Sequence, residues 1–310
     1  MLRARRRLAT LPGTLEKPVP FSLSMRRLVL AIPLVLAASC SPEVKQVRHS
    51  PMPLEQPIAV TREFAVPVLM YHRVSDLTER EARSPLMRDL TVSPADFEEQ
   101  VKYLKDQGFT FLFARQVEEA LQHGKPLPKK AVALTFDDGY KDNFSNAFPI
   151  LKRYGAKATI FIVTNNLRRP GRLTWPELHE MSGEGVGYGS HTVSHPDLTT
   201  LSSEDLRYEL RESKRILEEG LSSSITSVAY PAGQYNGVVA YEAREAGYLA
   251  GWKKGGGPVE PRHAGDLYLL PRVRVHGRTT ATGFKRKVLS GVYVQELRLR
   301  QHFKRLLASR

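Results

Sequence analysis

Ala131-Val132-Ala133-Leu134-Thr135-Phe136-Asp137-Asp138-Gly139 is the stretch on which the fold turns. Six residues, Ala131 to Phe136, all small, branched or aromatic, read as a buried strand, and the Asp-Asp-Gly after them ends it. C-terminal to it, the pattern predicts a helix near Asn143 to Tyr154 stopped by Gly155, then a strand at Ala158 to Val163. Short strands near Gly185 to Gly189, Ser227 to Ala229 and Leu249 to Trp252 follow, separated by helices near Trp175 to Met181, Asp205 to Glu219 and Val238 to Ala246. On the N-terminal side lie a helix near Gln116 to His123, a strand-like Phe109 to Phe113 and a first strand Val66 to Met70. Between these last two strands, Ser93-Pro94 caps a helix that carries Phe97, Val101 and Leu104 on one face and ends at Gly108. Strand and helix alternate throughout, which is the pattern of an α/β protein. Seven or so such steps in about 210 residues fit one barrel, a fold that commonly needs roughly 200 to 250 residues, better than two domains.

The chain of 310 residues is 41% hydrophobic, too apolar and evenly mixed for a disordered protein, and holds no apolar run long enough for an ordinary membrane span. Its single cysteine excludes an internal disulfide and a Cys-rich metal cluster. The N-terminal region differs. Arg26-Arg27 precede an apolar run from Leu28 to Ala38, and Ala37-Ala38-Ser39 lead to Cys40, the arrangement of an export signal. The small residues before Cys40 are similar to a bacterial lipoprotein lipobox, which implies lipidation of Cys40; plain secretion and an uncleaved anchor are the alternatives. Met25 is a second candidate start. Residues 40–65, with Pro42, Pro51, Pro53 and Pro57, read as an extended tether. The formal charge is +14; without residues 1–39, 39 basic against 31 acidic residues leave +8. Such an excess suits anionic lipid, a cell-wall polymer or nucleic acid, but no nucleic-acid motif is present, and export argues against a genomic target.

Chemistry concentrates where strands end. Asp137 and Asp138 close a strand at the barrel end where active sites assemble, although Asp-Asp-Gly alone would read as a turn. After another short strand, Ser190-His191-Thr192-Val193-Ser194-His195 places two histidines at i and i+4, which on one helical turn would share a side and a metal. One aspartate with two histidines makes a facial ligand set that leaves positions open for water and substrate. The other aspartate is then free to take a proton from the attacking water, so the constellation suits metal-assisted hydrolysis. Zinc is the default ion for such ligands; cobalt or nickel would also fit.

These motifs bring in a family. From about Val66 to Val275 the chain resembles the polysaccharide deacetylases of the NodB-homology type, carbohydrate esterase family 4. The resemblance implies a distorted (β/α)7 barrel that removes acetyl groups from acetylated polysaccharides such as chitin, peptidoglycan, biofilm polymers or xylan. Thr135 to Gly139 is similar to the family's first motif, which makes Asp137 the catalytic base and Asp138 a metal ligand; His191 and His195 match the second motif's metal histidines. Tyr230-Pro231-Ala232-Gly233 is similar to the third, so that Pro231 and Gly233 would line the groove and the Ala232 N–H would meet the oxyanion. Val66 to His72, Phe144 to Phe161 and Leu270 to Val275 resemble the poly-β-1,6-N-acetylglucosamine deacetylases in particular.

Two positions depart from the pattern. Ala229 stands where many members have the arginine that pairs with the catalytic aspartate, and Arg272, before the last strand, is the candidate replacement. For the acid that protonates the leaving amine, His72 at the end of the first strand is preferred, as in the subgroup's permuted arrangement, with His276 as the alternative. Tyr140, Trp175, Tyr235 and Trp252 are candidate sugar-stacking faces. Residues 283–310 read as a basic amphipathic helix, either packed on the barrel or docked on anionic lipid or envelope polymer. The expected partner is an acetylated polysaccharide and the expected location the bacterial cell envelope. The competing functions are a non-catalytic glycan-binding lipoprotein on the same barrel and a hydrolase of small amides.

Overall fold

The computed structural model describes residues 64–289 and the backbone of residues 60–61. The export signal, Cys40 and most of the tether therefore lie outside the described residues. Eight parallel strands form one sheet: β1 (Val68–Tyr71), β2 (Thr110–Leu112), β3 (Ala131–Asp137), β4 (Ala158–Ile162), β5 (Val186–Ser190), β6 (Ser227–Ala229), β7 (Ala250–Trp252) and β8 (Val273–Arg274). Their order is β7-β6-β5-β4-β3-β1-β8, with β2 paired to the first half of β3. Bridges from Trp252 to Leu270 and from Gly255 to Arg272 carry β7 round to the segment that becomes β8, which pairs with β1. The ring so formed is the distorted (β/α)7 barrel that the alternation and the family resemblance imply.

Helices α1 (Pro94–Asp106), α2 (Ala114–His123), α3 (Phe148–Tyr154), α4 (Trp175–Ser182), α5 (Ser203–Leu221) and α6 (Gly237–Glu245) connect the strands. Their ends follow local chemistry. The Ser93 hydroxyl accepts from Asp96 N ahead of Pro94, and Gly124 and Gly155 end α2 and α3 at φ of 62° and 61°, a conformation glycine adopts without steric cost. The helix expected from Asn143 instead opens with a π-helical turn, Asn143–Ala147. Within it Asn143 Nδ2 donates to His72 O at 2.8 Å and Asn146 Nδ2 to Val74 O at 2.8 Å, pinning the chain that leaves β1. Two short helices, Glu79–Ala82 and Pro85–Leu90, had no counterpart in the sequence pattern. At the C-terminus, residues 281–289 are helical and bury Phe284 and Val288, with Phe284 edge-on to Tyr103. This first part packs on the barrel, and the rest of the expected basic helix lies outside the described residues.

Strand β3 shows how the barrel orients its chemistry. All seven residues are buried, but they alternate. Val132, Leu134 and Phe136 face the larger core shared with α1, α3, α4 and α5, whereas Ala131 and Ala133 join Val68, Phe161, Ala229, Ala250 and Trp252 in a second cluster with α2. Thr135 and Asp137 share the parity of the second set, so the strand delivers Asp137 to the inside of the ring.

Trp252 requires a correction. It is fully buried, and its Nε1 donates to Glu118 Oε1 at 2.8 Å, so it presents no face to a sugar. The same carboxylate accepts from Ser227 Oγ, and from Thr226 Oγ1 at 3.2 Å, fastening α2 to the start of β6. Burial raises the Glu118 carboxyl above its ordinary range, against the opposing effect of those three donors. A raised carboxyl binds its proton more tightly folded than unfolded, so its stabilising share is complete below the unfolded value of about 4.3 and is lost as pH rises through the folded value. The melting temperature of the native protein minus that of Glu118→Gln should therefore decline as pH is raised from about 4 to about 8. A difference that stays flat over that range would show that Glu118 titrates normally.

Candidate active site

Asp137 is 3% exposed and faces Arg272, which is 1% exposed. Arg272 donates from Nη1 to Oδ1 at 2.6 Å and from Nη2 to Oδ2 at 2.8 Å, a two-pronged geometry that lysine cannot reproduce. The guanidinium also lies 5.2 Å from the Phe161 ring centre. Burial by itself would raise the Asp137 carboxyl, but the Arg272 charge and hydrogen bonds outweigh it and hold the group well below the usual carboxylate range. The cation absent at position 229 is thus supplied from the segment before β8. Ala229 has another use, since its carbonyl accepts from His191 Nδ1 at 2.7 Å.

Replacing Arg272 by methionine should destabilise the fold by about 3–5 kcal/mol, because a buried carboxylate is left without its partner. Any reaction in which Asp137 takes part should slow about 100-fold, the scale expected when a reacting group loses its positioning. Chemical denaturation and an activity assay check both, and a methionine variant as stable as the native protein would refute the dependence.

Asp138 follows directly. In a continued strand its side chain would point away from Asp137 into the helix layer; its φ of 75° takes it out of the strand instead. Asp138 Oδ1 lies 3.5 Å from Nε2 of both His191 and His195, and the ligand atoms of the three residues fall within 4.8 Å of one another. Atoms bound to one zinc at about 2.0–2.2 Å stand roughly 3 to 3.6 Å apart, so the two Asp138–histidine separations match a shared divalent ion, and the histidine nitrogens would draw together on binding it. The His191 Nδ1–H donated to Ala229 O leaves the Nε2 lone pair directed at the site, the orientation that metal-binding histidines require.

The two histidines do not share a helical turn. Residues 191–195 form a loop after β5, with Thr192 and His195 at φ of 67° and 64°. The loop is held from below by Glu209 of α5, whose Oε2 accepts from Val193 N at 2.8 Å and Ser194 N at 2.9 Å and whose Oε1 accepts from Ser194 Oγ at 2.5 Å. Glu209 was not anticipated. Its trace in the sequence is a carboxylate within the buried stripe Leu206, Leu210, Ser213, Leu217 of an otherwise amphipathic helix. Equally unforeseen was Asp142, which binds Val74 N at 3.0 Å and Arg73 Nε at 2.9 Å and so ties the segment after Asp138 to the segment after β1.

At the third motif, Ala232 is exposed with φ of 53° and ψ of 5°, and Pro231 is buried beneath it. Asp138, Thr192, His195 and Ala232 are four of the six described non-glycine residues with positive φ, so left-handed backbone concentrates at this one place. Gly233, at φ of 77°, lies against Lys254, where a Cβ would come within 2.5 Å of the lysine Cβ. Tyr235 is half-buried and stacks on Tyr230 at 6.0 Å beside this loop. The Tyr140 ring, half-buried, meets two cations, Arg172 at 3.8 Å and Arg73 at 5.4 Å from its centre. Trp175 packs on Gly220 of α5, among the helices instead of at the mouth.

Of the two histidines considered as acid, His72 lies within the field of the site. Burial lowers its pKa, the charges of Asp137 and Asp138 oppose that, and Arg272 adds to it. His276 answers to a different set of charges, Asp89, Lys287, Arg274 and Arg278, and its backbone N–H donates to Thr279 Oγ1 at 3.0 Å.

The chain is similar to several known proteins. The family model for polysaccharide deacetylase matches residues 124–251. The protein YxkH of Bacillus subtilis, provisionally assigned as a polysaccharide deacetylase, is 31% identical over 268 residues, 86% of this chain and 90% of that one. The poly-β-1,6-N-acetyl-D-glucosamine N-deacetylase of Staphylococcus aureus is 28% identical over 234 residues, 69% of this chain and 80% of its own. Among solved structures, the Streptococcus pyogenes deacetylase PplD in complex with acetate superposes with a TM-score of 0.68 at 32% identity, covering 73% of this chain and 99% of that one.

Proposed function

Because this chain belongs to the polysaccharide deacetylase family, whose members hydrolyse amide bonds in acetylated polysaccharides, we propose that it removes N-acetyl groups from an N-acetylglucosamine-containing glycan of the cell envelope with the help of a divalent metal. The observation that carries the proposal is the meeting of Asp138, His191 and His195 within 4.8 Å beside an Asp137 paired with Arg272. The staphylococcal relative's named substrate supports a polymer of N-acetylglucosamine. A purely glycan-binding protein would have no use for an ionised, buried carboxylate next to three metal-type ligands. Export and lipid anchoring at Cys40 belong to the proposal on sequence grounds alone.

An ion held by Asp138, His191 and His195 would polarise the acetyl carbonyl and make the attacking water more acidic. Asp137, kept ionised by Arg272, takes a proton from that water as it adds to the carbonyl carbon. The Ala232 N–H, presented by its left-handed backbone at the exposed tip of its loop, donates to the oxygen that gains charge. His72 gives a proton to the sugar nitrogen as the carbon–nitrogen bond breaks, releasing acetate and a free amine. Tyr235 forms one wall of the groove beside that loop.

The test is acetate release from a panel of neutral and acidic N-acetylglucosamine polymers, read with His72→Ala and His276→Ala alongside the native protein. His72→Ala should lower kcat by about 100-fold or more, the usual worth of a general acid, and His276→Ala should stay within about twofold. The reverse ranking would transfer the acid role to His276, and no acetate from any polymer would end the proposal.

A further inference from the structure

We propose that the glycan this site takes is anionic, with carboxylate or phosphate groups close to the acetylated sugar, recognised by an arginine-bearing loop at the barrel mouth; the inference rests on the deacetylase activity proposed above. Residues 164–173, which follow β4, are tied to both halves of the ligand set. Thr164 N donates to Thr192 O at 3.1 Å and Asn165 N to Val193 O at 2.9 Å in the histidine loop. Leu173 N donates to Gly139 O, and Gly171 O accepts from Lys141 N, both at 3.0 Å, beside the aspartates. The loop carries Arg168, Arg169 and Arg172.

Arg172 is half-buried, its Nη1 donating to Asp138 O at 3.0 Å with its guanidinium on the Tyr140 ring. Arg168 and Arg169 are exposed at the tip, and Arg168 is held at φ of 71°. Among the described residues none of the three has a carboxylate within ion-pair distance, because the nearby acids are committed elsewhere. Asp142 serves Arg73 and Val74 N, Glu177 serves Lys141 and Thr174 N, and Asp197 is turned onto Thr199 N and Oγ1. After β7, beside the Ala232 loop, Lys253 and Lys254 add two more cations without an ion pair among the described residues; Lys254 lies against Gly233 and Lys253 over Tyr235.

Cations that are already neutralised contribute little to a partner, whereas unpaired ones around a cleft attract opposite charge and reject like charge. The reaction sharpens that selection. Each acetyl group removed from a neutral polymer leaves an ammonium, which this rim would repel, while an acidic polymer keeps counter-charge on the strand after every turnover.

The experiment measures equilibrium binding to the Asp137→Asn protein of three oligomers of equal length. One is N-acetylglucosamine alone, one alternates it with a uronate, and one joins it through phosphodiesters. At low ionic strength an acidic oligomer should bind at least about tenfold more tightly than the neutral one, and the advantage should shrink as salt is added. The tighter of the two acidic oligomers names the anion. In Arg168→Ala/Arg169→Ala, both exposed, most of the advantage should vanish, while Arg215→Ala, on α5 and paired with Glu212 and Glu219, should preserve it. Neutral binding equal to or tighter than acidic, or an acidic preference that survives the double substitution, would overturn the inference. Acetate release by the native protein from the same oligomers reports separately: release without acidic preference removes this inference alone, and no release from any oligomer removes the deacetylase activity while the binding data still decide the charge preference.

Discussion

Acetate release by Asp137→Asn should fall about 10³-fold, with little change in KM, because a general base is worth roughly 10²–10⁴ in rate and the amide that replaces it cannot accept the water's proton. Asparagine preserves the size of the side chain and one oxygen for Arg272, so the loss would report charge more than shape. A structural explanation must still be separated from a chemical one, since the variant leaves a buried guanidinium without its counter-ion. Asp137→Asn/Arg272→Met removes both members of the pair. It should melt nearer to the native protein than either single variant does, and should remain inactive. Activity within about tenfold of native in the single variant would dismiss Asp137 as the base, whatever its stability.

Loss of a metal ligand should be as severe. His191→Ala removes one of three donors, and its acetate release should fall by about 10³-fold or more without recovery on adding zinc, cobalt or nickel, whereas chelated native protein should regain its rate with one of those ions. Metal content gives a readout independent of turnover: bound ion in the native protein, little or none in His191→Ala. The effect should exceed that of disturbing the support of the site, since changes behind the ligands typically cost about 10- to 100-fold. Glu209→Gln offers that comparison, because it weakens the hold on Val193 and Ser194 and leaves all three ligands in place. A native protein that works equally well after chelation would refute metal dependence.

Much of the architecture was legible before any coordinates. Most strands and helices begin or end within one or two residues of the positions that periodicity and capping predict, because those signals act within a few residues along the chain. The π-helical opening of α3 and the two short helices after β1 escaped. The first is set by Asn143 and Asn146 reaching back to His72 and Val74, contacts about 70 residues away in sequence. For the stacking aromatics, composition was a poor guide. A buried aromatic with a carboxylate partner and a half-buried one look alike in a string of letters, and only packing separates Trp252 from Tyr235.

The amino-acid sequence by itself determined the barrel and the residue types that carry the chemistry, since strand alternation, helix caps and motif spacing are local properties of the chain. Tertiary structure decided the rest. It set which cation answers Asp137, how two neighbouring aspartates come to face different partners, and how two histidines converge without a helix. Each of these depends on distances between segments far apart in the chain, or on a left-handed turn at a non-glycine residue such as Asp138 or His195, which the surrounding fold must impose because local sterics oppose it.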